Sequence, residues 1–569
     1  MPTVPVIPSV WPSSSEWFFL SPVLLMAFWG VLVLMLDVLV LRNRTLLSTR
    51  AKWLGLTSLV GALAALGLAV GLLWPGVLAT DVLSANEEFF NGTIAFDAAS
   101  ALLQVVGIGF LVLVIGLSMT WVFTNEQGEY YALLFWSAVG MILMIEAEEF
   151  MTLFVALETM TISIYILTGL ETGSKRSSEA ALKYLIYGSA ASALFLFGLS
   201  WVYGLTGTTR LAAVGRALVE SRTVEGIGGQ WTSGLALLLV LAGFGFKVAS
   251  VPFHQWTPDV YEGAPAPVTA WIASGSKFAS FIAMIKVLML ALGTWSVDTG
   301  HLQSPGWVVI LSILAAVSMT YGNLAALGQQ NFKRMLAYSS IAHSGYLLVG
   351  VVAIGVSSQR TEATGAVLYY LCTYGLATLG TFAVAAWLAH DVGSDQIDDL
   401  NGLGFRRPVP AFCLAILLLS LIGVPPLAGF FGKMLMFMEA LNAGGNGGIA
   451  LTWLVVVALL NSVVSAFYYV RVLKALYLRQ PGPAIGKSFP SGVIWTLVIA
   501  AVATVGFGLN PTALLDPLGG AGISLLTSPE PASSGRPVDS NGITQSATVP
   551  ENPAQTQVPV APAPSASAR

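Results

Sequence analysis

Charge is what this 569-residue chain has least of, since only 9% of it is Asp, Glu, Lys or Arg. Soluble proteins carry about 25% charged residues. With 25 Lys+Arg and 29 Asp+Glu, a chain this long cannot cover a soluble surface, and a soluble enzyme is excluded. It has no run of basic residues and a net charge of −4, so no nucleic-acid partner is expected. Its two cysteines, Cys372 and Cys413, both lie in apolar stretches and read as small packing residues rather than a disulfide or a metal site. His301 and His390 fall at helix ends with no ligand partner at a metal-like spacing, and no metal site is expected.

Hydrophobic residues make up 56% of the chain and gather into long runs. Read as helices, these runs fall near 17–41, 53–73, 98–122, 130–147, 150–170, 179–204, 232–256, 266–292, 307–327, 334–356, 363–389, 408–440, 451–473 and 491–510. The expectation is therefore an all-α polytopic membrane protein of about fourteen transmembrane helices. Trp17, Trp53, Trp74, Trp121, Trp231, Trp256 and Trp307 fall at expected helix ends, where an indole suits the membrane interface. Gly67 and Gly71 make a GxxxG pair, read as close helix packing within the bundle. Gly444–Gly448 reads as a loop rather than a phosphate cradle.

No Lys or Arg precedes Arg42, so the first apolar run lacks the basic start of a cleaved signal and is expected to remain as a span. Alternate loops hold fourteen basic residues on one side, from Arg42 to Lys487, and six on the other. The positive-inside rule then makes the richer side cytoplasmic and puts both termini outside. Residues 528–569 contain eight prolines and no aromatic residue, and are expected to be a disordered tail.

Five lysines remain: Lys183, Lys247, Lys277, Lys286 and Lys433, all within helical segments. Each costs roughly 2.5–3.5 kcal/mol at a membrane centre if unpaired. Lys286 lies toward a helix end and can snorkel to the interface. Lys183 lies near the start of its helix, and Glu158 lies mid-helix in the preceding span, so one contact between them explains both. Lys247 precedes Pro252 by five residues, with His254 two further on. A proline opens the helix, and carbonyls near residue 248 then need another partner, such as water. Lys433 closes a second segment of the same kind, Gly423-Val424-Pro425-Pro426 through Gly432-Lys433. Two interrupted helices, each with a buried cation, suggest two related halves and an ion pathway. Lys277 has Ser274 and Ser280 three positions away on either side. Ser339, His343 and Tyr346 share one helix face, and could relay a proton or simply hydrogen-bond between helices.

Three stretches carry a family resemblance: Val251-Pro252-Phe253-His254-Gln255-Trp256-Thr257-Pro258-Asp259-Val260-Tyr261-Glu262-Gly263-Ala264-Pro265-Ala266-Pro267, then Asn331 to Tyr346, then Gly423 to Lys433. They closely resemble signatures of the subunit N family of proton-translocating NADH-quinone oxidoreductase, respiratory complex I, and the likeness spans roughly residues 17–510. Thr159 departs from it, since a leucine usually follows the glutamate. The resemblance implies that Glu158 and Lys183 form a carboxylate–lysine pair, that Lys247 and Lys277 are central proton carriers, and that Lys433 is the outward-side lysine. His254 and His343 complete the candidate set.

The resemblance also implies two inverted five-helix repeats with two discontinuous helices, here 130–292 and 307–473, flanked by N-terminal helices within 1–129 and a last span at 491–510. No cofactor is implied on this subunit, although the whole complex implies NADH, FMN, iron–sulfur clusters and quinone. Implied partners are the lipid bilayer, protons and other membrane-arm subunits, including a second antiporter-like one, and the implied location is a bacterial plasma membrane. The competing reading is a Na⁺/H⁺ antiporter subunit without redox coupling, which would use the same lysines and broken helices.

Overall fold

The computed structural model describes residues 14–42, 46–73, 87–119, 121–123, 126–221, 227–296, 306–443, 451–480 and 489–526. Trp74, His301, Gly444–Gly448, Lys487 and the tail from 528 lie outside the described residues. The helices are α1 Ser21–Leu41, α2 Leu47–Leu72, α3 Ala98–Ser118, α4 Gln127–Glu146, α5 Phe150–Thr168 and α6 Lys175–Thr206. Next come α7 Ile227–Lys247 and α8 Trp256–Gly263, then α9 Ala266–Ala291, α10 Trp307–Leu327, α11 Phe332–Val356 and α12 Arg360–Val392. The last are α13 Pro408–Ile422, α14 Ala428–Asn442, α15 Thr452–Leu478, α16 Ser491–Leu509 and α17 Thr512–Leu526.

Among the described residues, twelve helices are long and apolar enough to cross a membrane. The expected helices at 232–256 and 408–440 are each broken in two, which accounts for the difference from fourteen. The residue pattern gave no warning of three further elements. Leu211–Ser221 is a short helix packed on the end of α9, α17 packs on α12 and α3, and Glu87–Phe89 (β1) pairs antiparallel with Ile94–Phe96 (β2).

Helix α2 starts at Leu47 rather than near 53, so Arg50 is helical and 3% exposed instead of standing in a loop. Its guanidinium donates to both oxygens of the buried Asp37 at 2.5 Å, and the Gly128 amide donates to the same carboxylate at 3.1 Å. Removing one member of such a pair strands a buried charge, at a cost of about 3–5 kcal/mol. Asp37→Asn should therefore lower the temperature at which this subunit leaves a purified complex. An unchanged dissociation temperature would show that the pair adds nothing to stability.

Two helix pairs approach closely because glycine lets them. A Cβ at Gly322 in α10 would meet the Ala342 amide at 2.6 Å and the Tyr338 carbonyl at 2.8 Å in α11, and Gly140 in α4 meets the Met160 and Ala156 backbone of α5 in the same way. Gly67 and Gly71 face open space, which corrects the reading of that pair as packing within the bundle. The tryptophan reading also needs correction. Trp17 and Trp53 are exposed, but Trp121, Trp256 and Trp307 are buried. Their indoles donate to Glu171, to the Phe246 carbonyl and to the Leu292 carbonyl, so protein atoms take the place of lipid headgroups.

The order of elements recurs: three long helices, a broken one and another long one run from α4 to α9 and again from α10 to α15. A detail of the backbone recurs with them. Glu149, between the first two helices of the first set, bridges to Arg210 beyond the third, and Asn331 bridges to Gln396 at the equivalent place in the second.

Candidate functional site

The two breaks place the chemistry. Helix α7 ends at Lys247, and Val248–Gln255 run without regular helix to α8. The carbonyl freed at Val248 accepts the Ser344 hydroxyl of α11, so a side chain fills the place that water was expected to take. The Val251 amide donates to Ser318 Oγ at 2.9 Å. At the second break, α13 ends at Gly423 with φ +96°, a left-handed value that glycine adopts at no steric cost. Its last carbonyls, Leu421 and Ile422, accept from Lys433 Nζ at 2.9 and 3.0 Å, with Ser462 Oγ at 3.4 Å. A cation at a helix C-terminus also complements the helix dipole.

Lys247, 8% exposed, donates to Thr161 Oγ1 at 2.6 Å. Thr161 lies three residues beyond Glu158 on α5, one turn along the same face. Lys277, 3% exposed, follows a π-helical turn at Ile272–Ser276, a distortion frequent at functional sites. Its ammonium reaches across to α11 and donates to the Ser340 carbonyl at 2.8 Å, to Ser340 Oγ at 2.6 Å and to Ser344 Oγ at 2.8 Å. Ser274 and Ser280, three positions away on either side, bond carbonyls of their own helix.

The stripe on α11 is fully engaged. His343 Nδ1 lies 2.6 Å from the Tyr370 hydroxyl and Nε2 3.1 Å from that of Tyr469, which also meets Ser339. The Tyr346 hydroxyl accepts from Asn323 at 3.1 Å, and Lys433 Nζ stands 4.6 Å from the centre of the Tyr346 ring. Tyr374 donates to Ser340 at 3.1 Å, and its ring is tilted against that of His343 with centres 4.9 Å apart. Lys277 is thus joined by hydrogen bonds to Ser340 and Tyr374, and ring contacts from Tyr374 to His343 and from His343 to Tyr346, 5.5 Å between centres, lead on to Lys433, while Ser344 joins Lys277 to the break beside Lys247. His254 stands apart from this chain of contacts: it is 8% exposed, with its ring edge-on to Tyr321 at 4.6 Å and no hydrogen-bond partner at Nδ1.

The expected Glu158–Lys183 contact is absent. Lys183 Nζ binds Glu179 and Asp259, each at 2.7 Å, and Glu158 accepts from Ser192 at 2.5 Å. Helix α8 causes this by presenting Asp259 to α6. The same Asp259 carboxylate accepts from Arg334 at 2.8 Å, and Arg334 also binds Glu262 at 2.9 Å, so one acidic turn ties the start of α6 to the start of α11. Asp259 and Glu262 are three apart on α8, a spacing that announces a shared face, although the sequence does not say what faces it. Beside them opens a polar cavity of about 450 Å³ lined by Trp121, Glu171, Glu262, Asn331, Lys333 and Asp395. Burial pushes the carboxyls of Glu171 and Asp395 up, against the opposing pull of Lys333.

Lys286 does not snorkel. It is 4% exposed and pairs with Glu148 at 2.6 Å. Cys372 and Cys413 are buried free thiols.

The profile of the NADH:quinone oxidoreductase/Mrp antiporter transmembrane family matches residues 147–462. NADH-quinone oxidoreductase subunit N 2 of Acidobacterium capsulatum is 38% identical over 494 residues, which cover 85% of this chain and 94% of that protein. A chain of respiratory complex I from Thermus thermophilus with bound aureothin matches with a TM-score of 0.68 at 32% identity, covering 87% of this chain and 99% of its own. A chain of the Mrp complex from Dietzia sp. matches with a TM-score of 0.72 over 89% of this chain and 97% of its own. At 19% identity, that last likeness shows the fold alone.

Proposed function

Given that the chain belongs to the subunit N family of NADH-quinone oxidoreductase, within the NADH:quinone oxidoreductase/Mrp antiporter transmembrane proteins, we propose that Lys247, Lys277 and Lys433 carry protons outward while quinone is reduced elsewhere in the complex. The chain is a membrane subunit of that enzyme and takes part in its proton translocation. One observation supports assigning the work to these three lysines: among the described residues each bonds only neutral oxygens, Thr161 for Lys247, Ser340 and Ser344 for Lys277, and Leu421, Ile422 and Ser462 for Lys433. An ammonium held by neutral acceptors can release its proton without stranding a partner carboxylate. Lys183 and Lys286, each salt-bridged, cannot.

Glu158 sets the charge beside Lys247. Lys183 is held by Asp259 and Glu179, and the Glu158 carboxylate lies one turn before Thr161, the partner of Lys247. At an effective dielectric of about 20, a unit charge about 7 Å away stabilises an ammonium by roughly 2.4 kcal/mol. Return of Lys183 to Glu158 withdraws that support and favours release from Lys247. His343, joined to Tyr370 and Tyr469, offers a path between Lys277 and Lys433, and His254 lines the first break without a direct link to it.

The location that fits is a bacterial plasma membrane with both termini outside, on the distribution of basic loops. Partners are the other membrane-arm subunits, a second antiporter-like one among them, and the redox cofactors belong to those partners. Residues 130–292 and 307–473 act as two inverted repeats, a reading supported by the recurring helix order and the paired bridges at Glu149 and Asn331.

The test is Lys277→Ala in the purified complex reconstituted into vesicles. Quinone-linked acidification should fall on the order of a hundredfold, the contribution of one positioned proton carrier. Acidification at the normal rate would remove Lys277 from the route.

A further inference from the structure

Opposite the basic loops, the end of α4 holds a cluster that the lysine route does not use. Glu146 is 1% exposed and Gln104, on α3, is 0% exposed. Gln104 Nε2 donates to Glu146 Oε1 at 3.3 Å, which sets the amide and the carboxyl side by side. The other two oxygens, Gln104 Oε1 and Glu146 Oε2, are both buried and have no hydrogen-bond partner. As an amide oxygen and a carboxylate oxygen, both only accept.

The neighbouring charges are already engaged. Lys286 of α9 binds Glu148 at 2.6 Å and the Ile145 carbonyl at 3.1 Å. Asp97 caps α3 by accepting from the Ser100 amide at 2.6 Å. The β1–β2 hairpin closes over the cluster, since the Glu148 amide donates to the Thr93 carbonyl at 3.0 Å and Ile94 bridges to Ala147.

We propose that Glu146 and Gln104 form a buried proton-binding site, in which one proton on Glu146 Oε2 turns that oxygen into a donor to Gln104 Oε1. A single proton then satisfies both unpartnered oxygens and closes a cyclic acid–amide pair. The equilibrium is simple: the neutral carboxyl gives its proton to water on the outer side and becomes a carboxylate, and takes one back in the reverse step. The titratable groups that face the carboxyl from the neighbouring elements are Asp97 and Lys286, the latter paired with Glu148.

Lys286 stands nine residues beyond Lys277 on α9, about 13 Å along the axis at 1.5 Å per residue. The cluster is therefore an outward station beyond Lys277, a role that rests on reading Lys277 as a carrier. The binding site itself does not rest on it.

The test is infrared spectroscopy of the whole purified complex in H₂O and D₂O at neutral pH, with wild type compared against Glu146→Gln and Gln104→Leu. The wild type should show a carboxylic C=O band that shifts in D₂O and is lost in Glu146→Gln. In Gln104→Leu, which keeps the carboxyl but removes its amide partner, the band should move to higher frequency. Should Glu146→Gln fail to assemble, the Gln104→Leu shift alone decides. Identical carboxyl regions in wild type and Glu146→Gln, or no shift in Gln104→Leu, would overturn the proposal. Loss of the wild-type band on adding Na⁺ would also overturn it, by showing a cation site. Normal pumping by Lys277→Ala with the band intact would instead sink the carrier reading and leave this site standing.

Discussion

Lys247→Arg, carried in the assembled complex, is expected to pump protons on the order of a hundredfold more slowly than the wild type, as slowly as Lys247→Ala. The two variants fail for opposite reasons. Alanine removes the proton-bearing group while leaving the break at Val248–Gln255 in place. Arginine keeps a charge beside Thr161 but cannot release its proton at any physiological pH. Acidification of reconstituted vesicles, measured beside quinone reduction and the subunit content of the complex, checks both. Normal pumping by an assembled Arg variant would mean that only a fixed charge is needed at this position, and the carrier role of Lys247 would fall.

Glu158→Gln should cost nearly as much, because it keeps the shape that accepts from Ser192 and deletes the charge. Loss of roughly 2 kcal/mol of support for the Lys247 ammonium corresponds to about thirtyfold in its proton-binding constant. Asp259→Asn tests the other side of the same balance. It loosens Lys183 from α8 and should bias that lysine toward Glu158, so that pumping slows while the Glu158→Gln background makes the second change nearly silent. Additive losses in the double variant would show that the two carboxylates do not compete for Lys183. If the Gln variant pumps at the normal rate, the charge-switch account fails even where the lysines still matter.

The buried lysines and the two broken helices were legible in the sequence because both are violations: a cation in an apolar run, and Pro and Gly inside a span. The partners were not. Which carboxylate meets Lys183 depends on how α6 and α8 face each other, and helix azimuth is set by packing far away in the chain. Glu158 lay mid-span with no lysine on its own helix, whereas the carboxylates in contact are Glu179, four residues before Lys183, and Asp259, inside the Val251–Pro267 stretch. Ser340 and Ser344, four apart on α11, carried the i, i+4 signal for a face turned toward Lys277, but Ser339 and His343 carry the same spacing on the adjoining face. The hairpin over Glu146 left no trace, because six residues of strand carry too little pattern beside long apolar runs.

The capping of the second break by Lys433 can also be counted in hydrogens. An ammonium has three of them to donate, and Lys433 meets three oxygens, Leu421 O, Ile422 O and Ser462 Oγ. Lys277 likewise meets three, all on α11. A neutral amine has only two, so each release costs the lysine one of its three contacts. At Lys433 two of the three contacts are carbonyls at the end of α13, and the third is the Ser462 hydroxyl of α15, which itself donates to the Ile422 carbonyl at 3.2 Å. Loss of a proton there is a change in backbone bonding as well as in charge, and the break becomes the part of the fold that registers whether the lysine is loaded.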